Sequence, residues 1–348
     1  MAIPASTYVY GYGTGTNNRE DLMDMVSIID PWEAPLFLAS PKKTVNHVTV
    51  EWLVDSLGAT STAAAAEGAD FSQSADAVAR TRRQNVTQIF RRDILVTNTQ
   101  RAVNPAGVRD EYEYQIEKAL KEIARNIECG LFMASAASAV GTTATARQWK
   151  GLAVQHTTNV DTMNSSALGI QNLATLGGLS ASATLMTEDR FNAMLELIFN
   201  NGGNPDTAYV NAATKRQISN FVGPASILGA ATTQHTVTSR NIGASEKKII
   251  ASIDVYDSDF GMIQIVMDRW IYQPANVATN HTDYYGRAWF IETGMVQMGI
   301  LRPIRHVPLA AVGDSTRGMV LGELTNMVIN EKANGCYWGV SNFPGAQQ

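Results

Sequence analysis

The stretch from Asn104 to Ser138, NPAGVRDEYEYQIEKALKEIARNIECGLFMASAAS, carries the strongest local signal in the sequence. Its apolar residues recur at spacings of four and three, which is the period of one helix face; they are Tyr112, Ile116, Leu120, Ile123, Ile127 and Leu131. Asn104 and Pro105 supply a cap and a proline for the first turn. We therefore predict one long helix over residues 105–138, about 45 Å long.

Acidic residues crowd the first part of this predicted helix, where the positive end of the helix dipole stabilises them; they are Asp110, Glu111, Glu113 and Glu117. A bundle or coiled coil would need a second helix of similar length. The sequence offers none, so a bundle or coiled coil is disfavoured.

Two strand-like stretches precede the helix. Residues 45–57, VNHVTVEWLVDSL, alternate apolar and polar side chains, and residues 84–97, QNVTQIFRRDILVT, are strand-like again. The intervening residues 58–79 are small and polar and cannot form a core. We predict a long hairpin with a loose tip, and loops of this length are usually functional or mobile.

Residues 1–45 are predicted to form an arm that lies on something else. Gly11, Gly13 and Gly15 loosen its start, and Asn18 can cap a short helix that Pro31 ends. Pro35 and Pro41 are expected to keep the rest extended.

The remainder alternates short helices and strands, which indicates the α+β class. Thr187 is predicted to cap a helix with the buried face Phe191, Met194, Leu195 and Ile198, and Asn211 a further helix carrying Ile218 and Phe221. Strands are predicted at 208–210, 248–256, 261–271, 287–301 and 319–330.

Composition limits the classes of function. The chain has 348 residues, a net charge of −5 and only 17% charged residues. An acidic balance argues against a dedicated nucleic-acid binder. Low charge suits a surface buried against other chains, although a low-charge monomer fits equally well. Two distant cysteines make neither a disulfide framework nor a zinc site, and a reducing compartment is expected.

Motifs of catalysis, cofactor binding and targeting are missing or incomplete. Gly11-Tyr-Gly13-Thr-Gly15 departs from the dinucleotide-binding pattern, and neither a phosphate-binding loop nor a nucleophile elbow is present. Asp254, Asp257 and Asp259 with Gly261 depart from a calcium loop and fit a tight turn better. The histidines, which are His47, His156, His235, His281 and His306, show no ligand spacing. A triad of distant residues stays open, but no cofactor, signal peptide or membrane helix is predicted.

A local excess of arginine lies on the predicted hairpin; it consists of Arg80, Arg82, Arg83, Arg91 and Arg92. The stretch lacks the interleaved aromatic residues of a single-strand nucleic-acid binder. An acidic protein partner is the preferred interpretation, and a solvated face is the alternative.

Three stretches carry a family resemblance; they are NNREDLMDMVSIIDPWEAPLF (17–37), DVYDSDFGMIQIVMDRWI (254–271) and, above all, GELTNMVINEKANGCYWGV (322–340). With the order of arm, hairpin, long helix, mixed domain and late strands, the sequence resembles the major capsid proteins of tailed bacteriophages, which have the Hong Kong 97-type fold. Within them it is most similar to the podophage-like subgroup formerly catalogued as a domain of unknown function.

The resemblance implies a division of the chain. Its parts would be an N-terminal arm (1–45), an extended loop over a neighbouring subunit (46–103), a peripheral domain with its spine helix (104–149), an axial domain (150–280) and C-terminal strands that return to the peripheral domain (281–348). The extended loop carries no lysine between Lys43 and Lys118. Some shells of this fold join subunits through a lysine on that loop, and arginine cannot replace it as a nucleophile.

The resemblance also implies the function. The subunit would assemble with itself into hexamers and pentamers of an icosahedral head around double-stranded DNA, which it contacts without sequence specificity. A portal, and a scaffold or decoration protein, would be further partners, with no membrane, cofactor or catalysis, in a virion assembled in the host cytoplasm. We predict intersubunit ion pairs between the hairpin arginines and the acidic residues Asp110, Glu111, Glu113 and Glu117. The alternatives are an α/β enzyme that uses the Gly-rich N-terminal segment, and a cell-surface lattice protein.

Overall fold

The structure is a computed structural model. It describes residues 28–58, 78–103, 107–133, 139–161, 186–219, 254–271, 285–311 and 313–341, with a few single residues between 60 and 68 and Phe221. The predicted helix from Asn18, the glycines of the N-terminal segment and most of residues 58–79 lie outside the described residues.

The described helices and strands follow one another in a mixed order, which confirms the α+β class. The helices are α1 (Pro35–Ala39), α2 (Asn98–Ala102), α3 (Glu111–Met133), α4 (Leu152–Gln155), α5 (Glu188–Asn200) and α6 (Ala212–Ser219). The strands are β1 (Lys42–Thr44), β2 (Thr49–Val54), β3 (Thr81–Val86), β4 (Gln88–Thr97), β5 (Val160–Asp161), β6 (Thr207–Val210), β7 (Val255–Ser258), β8 (Gly261–Met267), β9 (Tyr285–Ile291), β10 (Val296–Leu309), β11 (Ser315–Val328) and β12 (Gly335–Ser341).

A four-stranded sheet in the order β1-β10-β11-β4 packs against the long helix α3. Strand β1 runs parallel to β10, and the other pairs are antiparallel. Ile123, Ile127 and Leu131 of α3 are fully buried against Phe90 of β4 and Val320 of β11. This apolar contact fixes the helix on one face of the sheet.

The long helix begins later than the sequence predicts. It starts at Glu111, and the amide of Tyr112 donates to Asp110 Oδ1 at 2.9 Å, so Asp110 caps it in place of Asn104. Gly107 has φ +78°, a left-handed conformation that cannot belong to a helix. With 23 residues the helix is about 35 Å long. The prediction for Leu120 is also wrong, since it is exposed while Ala119 is buried.

A six-stranded mixed sheet has the order β5-β12-β9-β6-β8-β7. Helix α5 buries the predicted face Phe191, Met194, Leu195 and Ile198 in a core shared with β6, β8 and β9. Both predicted caps are confirmed, because Thr187 accepts from the amide of Arg190 and Asn211 from the amide of Thr214. A single predicted strand over 287–301 is wrong, since a turn at Thr293–Met295 sends β9 and β10 into different sheets.

Among the described strands, the third sheet contains β2 and β3, which pair antiparallel from Thr49↔Val86 to Val54↔Thr81. The predicted strand 84–97 is divided at Thr87, and its second part, β4, belongs to the four-stranded sheet. Pro35 is the first residue of α1, so the chain there is helical rather than extended. The predicted turn at Asp257–Gly261 is confirmed by the hairpin pair Ser258↔Gly261.

Candidate assembly surface

The hairpin formed by β2 and β3 is anchored at its base to the C-terminal end of β11. Trp52 Nε1 donates to the carbonyl of Val328 at 2.9 Å. The amide of Asn85 donates to the carbonyl of Asn326 at 2.8 Å and also contacts that residue's side-chain oxygen. Asn85 and Asn326 are fully buried, so these bonds replace the water that the Asn85 amide has lost.

Arg83 adds a charged anchor at the same place. Its guanidinium bonds Glu331, whose side chain is 5% exposed, and also donates to the carbonyl of Gln155 at 3.3 Å. Glu331 accepts two further bonds, from the amide and the hydroxyl of Thr157, both at 2.9 Å. The Glu331 carboxylate is thus buried and accepts from three donors, which holds the base of the hairpin in place.

The outer half of the hairpin has a different character. Arg80 pairs with Asp55 at 3.0 Å and Arg82 with Glu51 at 3.3 Å, and these arginine side chains are 68% and 69% exposed. The bond from Arg80 lowers the pKa of the Asp55 carboxyl. Three large apolar side chains of the same half are exposed, namely Leu53, Leu57 and Val78. Exposed ion pairs of this kind contribute little to stability.

The two arginines of β4 point to opposite sides of the four-stranded sheet, as neighbouring strand residues do. Arg91 faces away from α3 and lies 3.2 Å from Asp93. Arg92 faces α3 and bonds Glu122 at 2.5 Å. Only Arg92 of the arginine set therefore reaches the long helix of its own subunit, among the described residues, and it meets a carboxylate outside the predicted acidic set.

The acidic residues at the start of α3 are engaged near their own positions. Asp110 bonds Arg101 at 2.9 Å, and this bond lowers the pKa of the Asp110 carboxyl. Glu117 pairs with Lys121 at 2.6 Å, Glu111 accepts from Gln115 at 2.7 Å, and Glu113 is exposed. Within the described part of one subunit, the predicted acidic set does not meet the arginine set. Contacts between the two sets across subunits stay a prediction.

Two buried carboxylates in the C-terminal stretch escaped the sequence analysis. Glu331 is one. Glu323 is the other, and it accepts from Arg147 at 2.5 Å, from Arg302 at 2.8 Å and from Thr87 at 2.8 Å. For Glu323 the sequence did carry a signal, since it is a charged residue inside an apolar strand. Such a residue is rarely buried without partners.

The histidines serve local packing where the structure describes them. Buried His156 contacts the carbonyl of Leu152 at 2.8 Å, and burial lowers its pKa. His306 contacts the hydroxyl of Tyr112 at 3.0 Å, and His47 is exposed. His235 and His281 lie outside the described residues. Among those that are described, no group of three or more His, Cys, Asp or Glu side chains could hold a metal ion. No helix in these ranges is both long and apolar enough to cross a membrane.

Solved structures share this fold at low sequence identity. The capsid of the native GTA particle aligns with 97% of this chain and 100% of its own, at a TM-score of 0.59 and 8% identity. The Mycobacterium phage Adephagia structure aligns with 97% of this chain and 100% of its own, at 0.57 and 14%. The holo-SrpI encapsulin complex from Synechococcus elongatus PCC 7942 aligns with 95% of both chains, at 0.53 and 8%. These similarities show the Hong Kong 97-type capsid fold.

Sequence comparisons carry the assignment further. The major capsid protein of Escherichia phage Phieco32 is 27% identical over 103 residues, which are 30% of this chain. The matched stretch spans only 29% of that relative. The pattern of the family described as SU10 major capsid protein matches residues 8–341, nearly the whole chain. A capsid family makes the chain a structural protein rather than the alternative enzyme with a Gly-rich site. The protein is a phage major capsid protein and belongs to the SU10 major capsid protein family.

Proposed function

We propose that the subunit assembles into hexamers and pentamers of an icosahedral head that encloses double-stranded DNA. The observation that carries the proposal is the hairpin of β2 and β3. It is fixed at its base, it pairs with no third strand among the described residues, and its outer half exposes Leu53, Leu57 and Val78.

A two-stranded hairpin is marginally stable in water unless another surface covers it. The anchors at Trp52, Arg83 and Asn85 hold its base and leave the outer half uncovered. A neighbouring copy supplies the missing surface, so that each subunit is completed by the next. The apolar side chains provide contact area, and Arg80 and Arg82 provide register toward acidic groups.

The arrangement of the two large sheets supports the proposed division into domains. We assign the four-stranded sheet and α3 to the peripheral domain (104–149 with strands of 281–348). The six-stranded sheet is assigned to the axial domain, which takes β5, β6, β7 and β8 from 150–280 and β9 and β12 from 281–348. Strand β4, although within 46–103, is part of the peripheral sheet. Strands β10 and β11 of 281–348 return to that sheet, whereas β12 adds to the six-stranded one.

The remaining partners follow from the same proposal. A shell made of a chain with net charge −5 contacts packaged DNA without binding it tightly, because like charges repel. A portal, together with a scaffold or decoration protein, completes a head assembled in the host cytoplasm. Within the arm, residues 1–45, α1 and β1 pack on their own subunit. The part of the arm that precedes them is proposed to lie on neighbouring subunits.

Electron microscopy of the purified full-length protein tests the proposal. Closed icosahedral shells are expected, whereas discrete small particles or flat arrays would contradict it. Deletion of residues 2–30 should leave a soluble protein that forms no normal shells, since the arm would no longer reach its neighbours. Normal shells from that deletion would show that the arm is not needed for assembly.

A further inference from the structure

Two buried carboxyl groups meet where the arm leaves the body of the subunit. We call residues 33–40, which contain α1, the arm root. Glu128 of α3 is fully buried, and its two oxygens accept from the amides of Leu36 and Phe37, each at 2.8 Å. Asp268, which follows β8, is 2% exposed, and its Oδ1 accepts from the amide of Trp270 at 2.7 Å.

The two residues that follow Asp268 also contact the arm root. The indole nitrogen of Trp270 donates to the carbonyl of Glu33 at 2.9 Å, and the Arg269 guanidinium lies 3.4 Å from the Glu33 carboxylate. Leu36 of the arm root is fully buried in the core beside α3. The arm root is therefore bound to the body of the subunit through residues adjacent to both carboxyl groups.

The charges of the pair do not balance without a proton. In the part of the chain that the structure describes, neither Glu128 nor Asp268 forms an ion pair, and the buried Oδ2 of Asp268 has no hydrogen-bond donor. The Glu128 carboxyl is its neighbour. Two carboxyl groups can hydrogen-bond to each other only when one of them is protonated. The other titratable and charged groups that face the pair are Arg125 and Cys129 of α3, Glu33 of the arm root, Arg269, and Tyr209 of β6.

We propose that one proton, shared by Glu128 and Asp268, fastens the arm root to the subunit, and that its loss in alkaline solution releases the arm root. With the proton present, Glu128 donates to Asp268 and still accepts from the two amides. Without it, two negative charges lie side by side in a buried place where no cation of the described residues pairs with either of them. The proposal concerns the single subunit and does not depend on how subunits assemble.

The pKa of Glu128 agrees with this geometry. Burial, and then the bond and the charge of Asp268, raise the pKa of Glu128 from its ordinary 4.5 to about 9. Burial also raises the pKa of Asp268, and the two groups titrate as a pair. The folded chain holds a proton that the unfolded chain releases above 4.5, so this stabilising contribution falls as the pH rises and is lost beyond about 9.

Limited proteolysis with subtilisin, at about pH 7 and about pH 10, tests the fastening on the full-length protein. The rate of cleavage inside residues 33–40 is mapped by mass spectrometry and normalised to cleavage elsewhere in the chain. In the natural protein this ratio should rise about tenfold or more at the higher pH. A ratio that stays constant would overturn the proposal.

Asp268→Asn is the matched variant. The asparagine amide takes the place of Oδ2 and donates to an ionised Glu128, so the bond no longer needs a titrating proton. The cleavage ratio of this variant should be the same at both pH values. An increase equal to that of the natural protein would overturn the proposal.

Infrared spectroscopy provides a measurement that needs no variant. At neutral pH the natural protein should show the carbonyl band of a buried protonated carboxyl group, and titration to alkaline pH should remove it. A spectrum without that band would overturn the proposal even if Asp268→Asn failed to fold. If the variant folds, the band should be missing from it at neutral pH as well.

Discussion

Arg82 and Arg83 are neighbours on β3, yet the structure uses them in opposite ways. Arg83 points to the base of the hairpin, is 31% exposed and bonds a buried carboxylate. Arg82 points outward, is 69% exposed and pairs with Glu51 of the facing strand. A ladder of arginines is therefore not one feature. Its inner member, Arg83, holds the hairpin to its own subunit. Its outer members, Arg80 and Arg82, form exposed ion pairs within the hairpin.

The largest expected effect follows from removing the inner arginine. Arg83→Ala should destabilise the subunit by about 2–3 kcal/mol, because the buried Glu331 carboxylate loses its charged partner and keeps only the two bonds from Thr157. Urea unfolding of the monomeric subunit measures this difference. Arg82→Ala is the matched control and should leave the unfolding midpoint unchanged. Equal midpoints for both variants would show that the inner pair anchors nothing.

A smaller loss is expected at the tryptophan beside that anchor. Trp52→Phe keeps most of the apolar contact and removes the N–H that donates to the carbonyl of Val328. The cost should be about 1 kcal/mol, the usual net value of one such bond. Trp32→Phe, at an exposed indole, is the control and should cost less. If both substitutions cost the same, the bond to β11 does not hold the hairpin.

Charge reversal of the outer arginines should separate folding from assembly. Arg80→Glu together with Arg82→Glu should leave the unfolding midpoint of the subunit almost unchanged, since both pairs are exposed. Shell formation, followed by light scattering and electron microscopy, should fail if these arginines meet acidic groups of a neighbour. Reversal of the predicted partners, beginning with the exposed Glu113, should partly restore it. Unimpaired assembly of the double variant would leave the outer arginines as a solvated face.

The last prediction concerns covalent bonds between subunits, and no such bond through the hairpin is expected. Because residues 44–117 contain no lysine, the hairpin cannot supply an amine that joins subunits. Mature particles boiled in denaturant with reductant should give one band near 37.7 kDa on a gel. A ladder of pentamer- and hexamer-sized bands would contradict this and would point to Lys42, Lys43 or a lysine beyond residue 117 as the donor.

The sequence predicted correctly those helices that depend on residues close together in the chain. Helices α5 and α6, with their caps at Thr187 and Asn211, depend on side chains within a few residues of each other. The start of α3 was predicted wrongly because two capping residues compete. Asn104, followed by Pro105, matches the usual sequence pattern of a helix start. However, Gly107 has a left-handed conformation that a helix from Asn104 could not contain, and Asp110 caps α3 instead.

The anchors of the hairpin could not be predicted because their partners are remote in sequence. Arg83 and Glu331 are 248 positions apart, and Thr87 and Glu323 are 236 apart. Composition identified the arginines as unusual, and nothing near them in the chain distinguishes Arg83 from Arg82. Only the fold, which brings the end of β11 beneath β3, assigns them different roles.

The position of β11 and β12 in the sheets has a consequence for synthesis of the protein on the ribosome. Strand β11 lies between β4 and β10, and β12 lies between β5 and β9, so both sheets need residues 315–341 in order to close. More than two hundred residues are synthesised between β4 and its partner strand β11. Such long-range pairing is slow, because the entropy of closing a long loop is lost before the contacts form. A product that ends before these strands keeps open sheet edges, which are prone to aggregation.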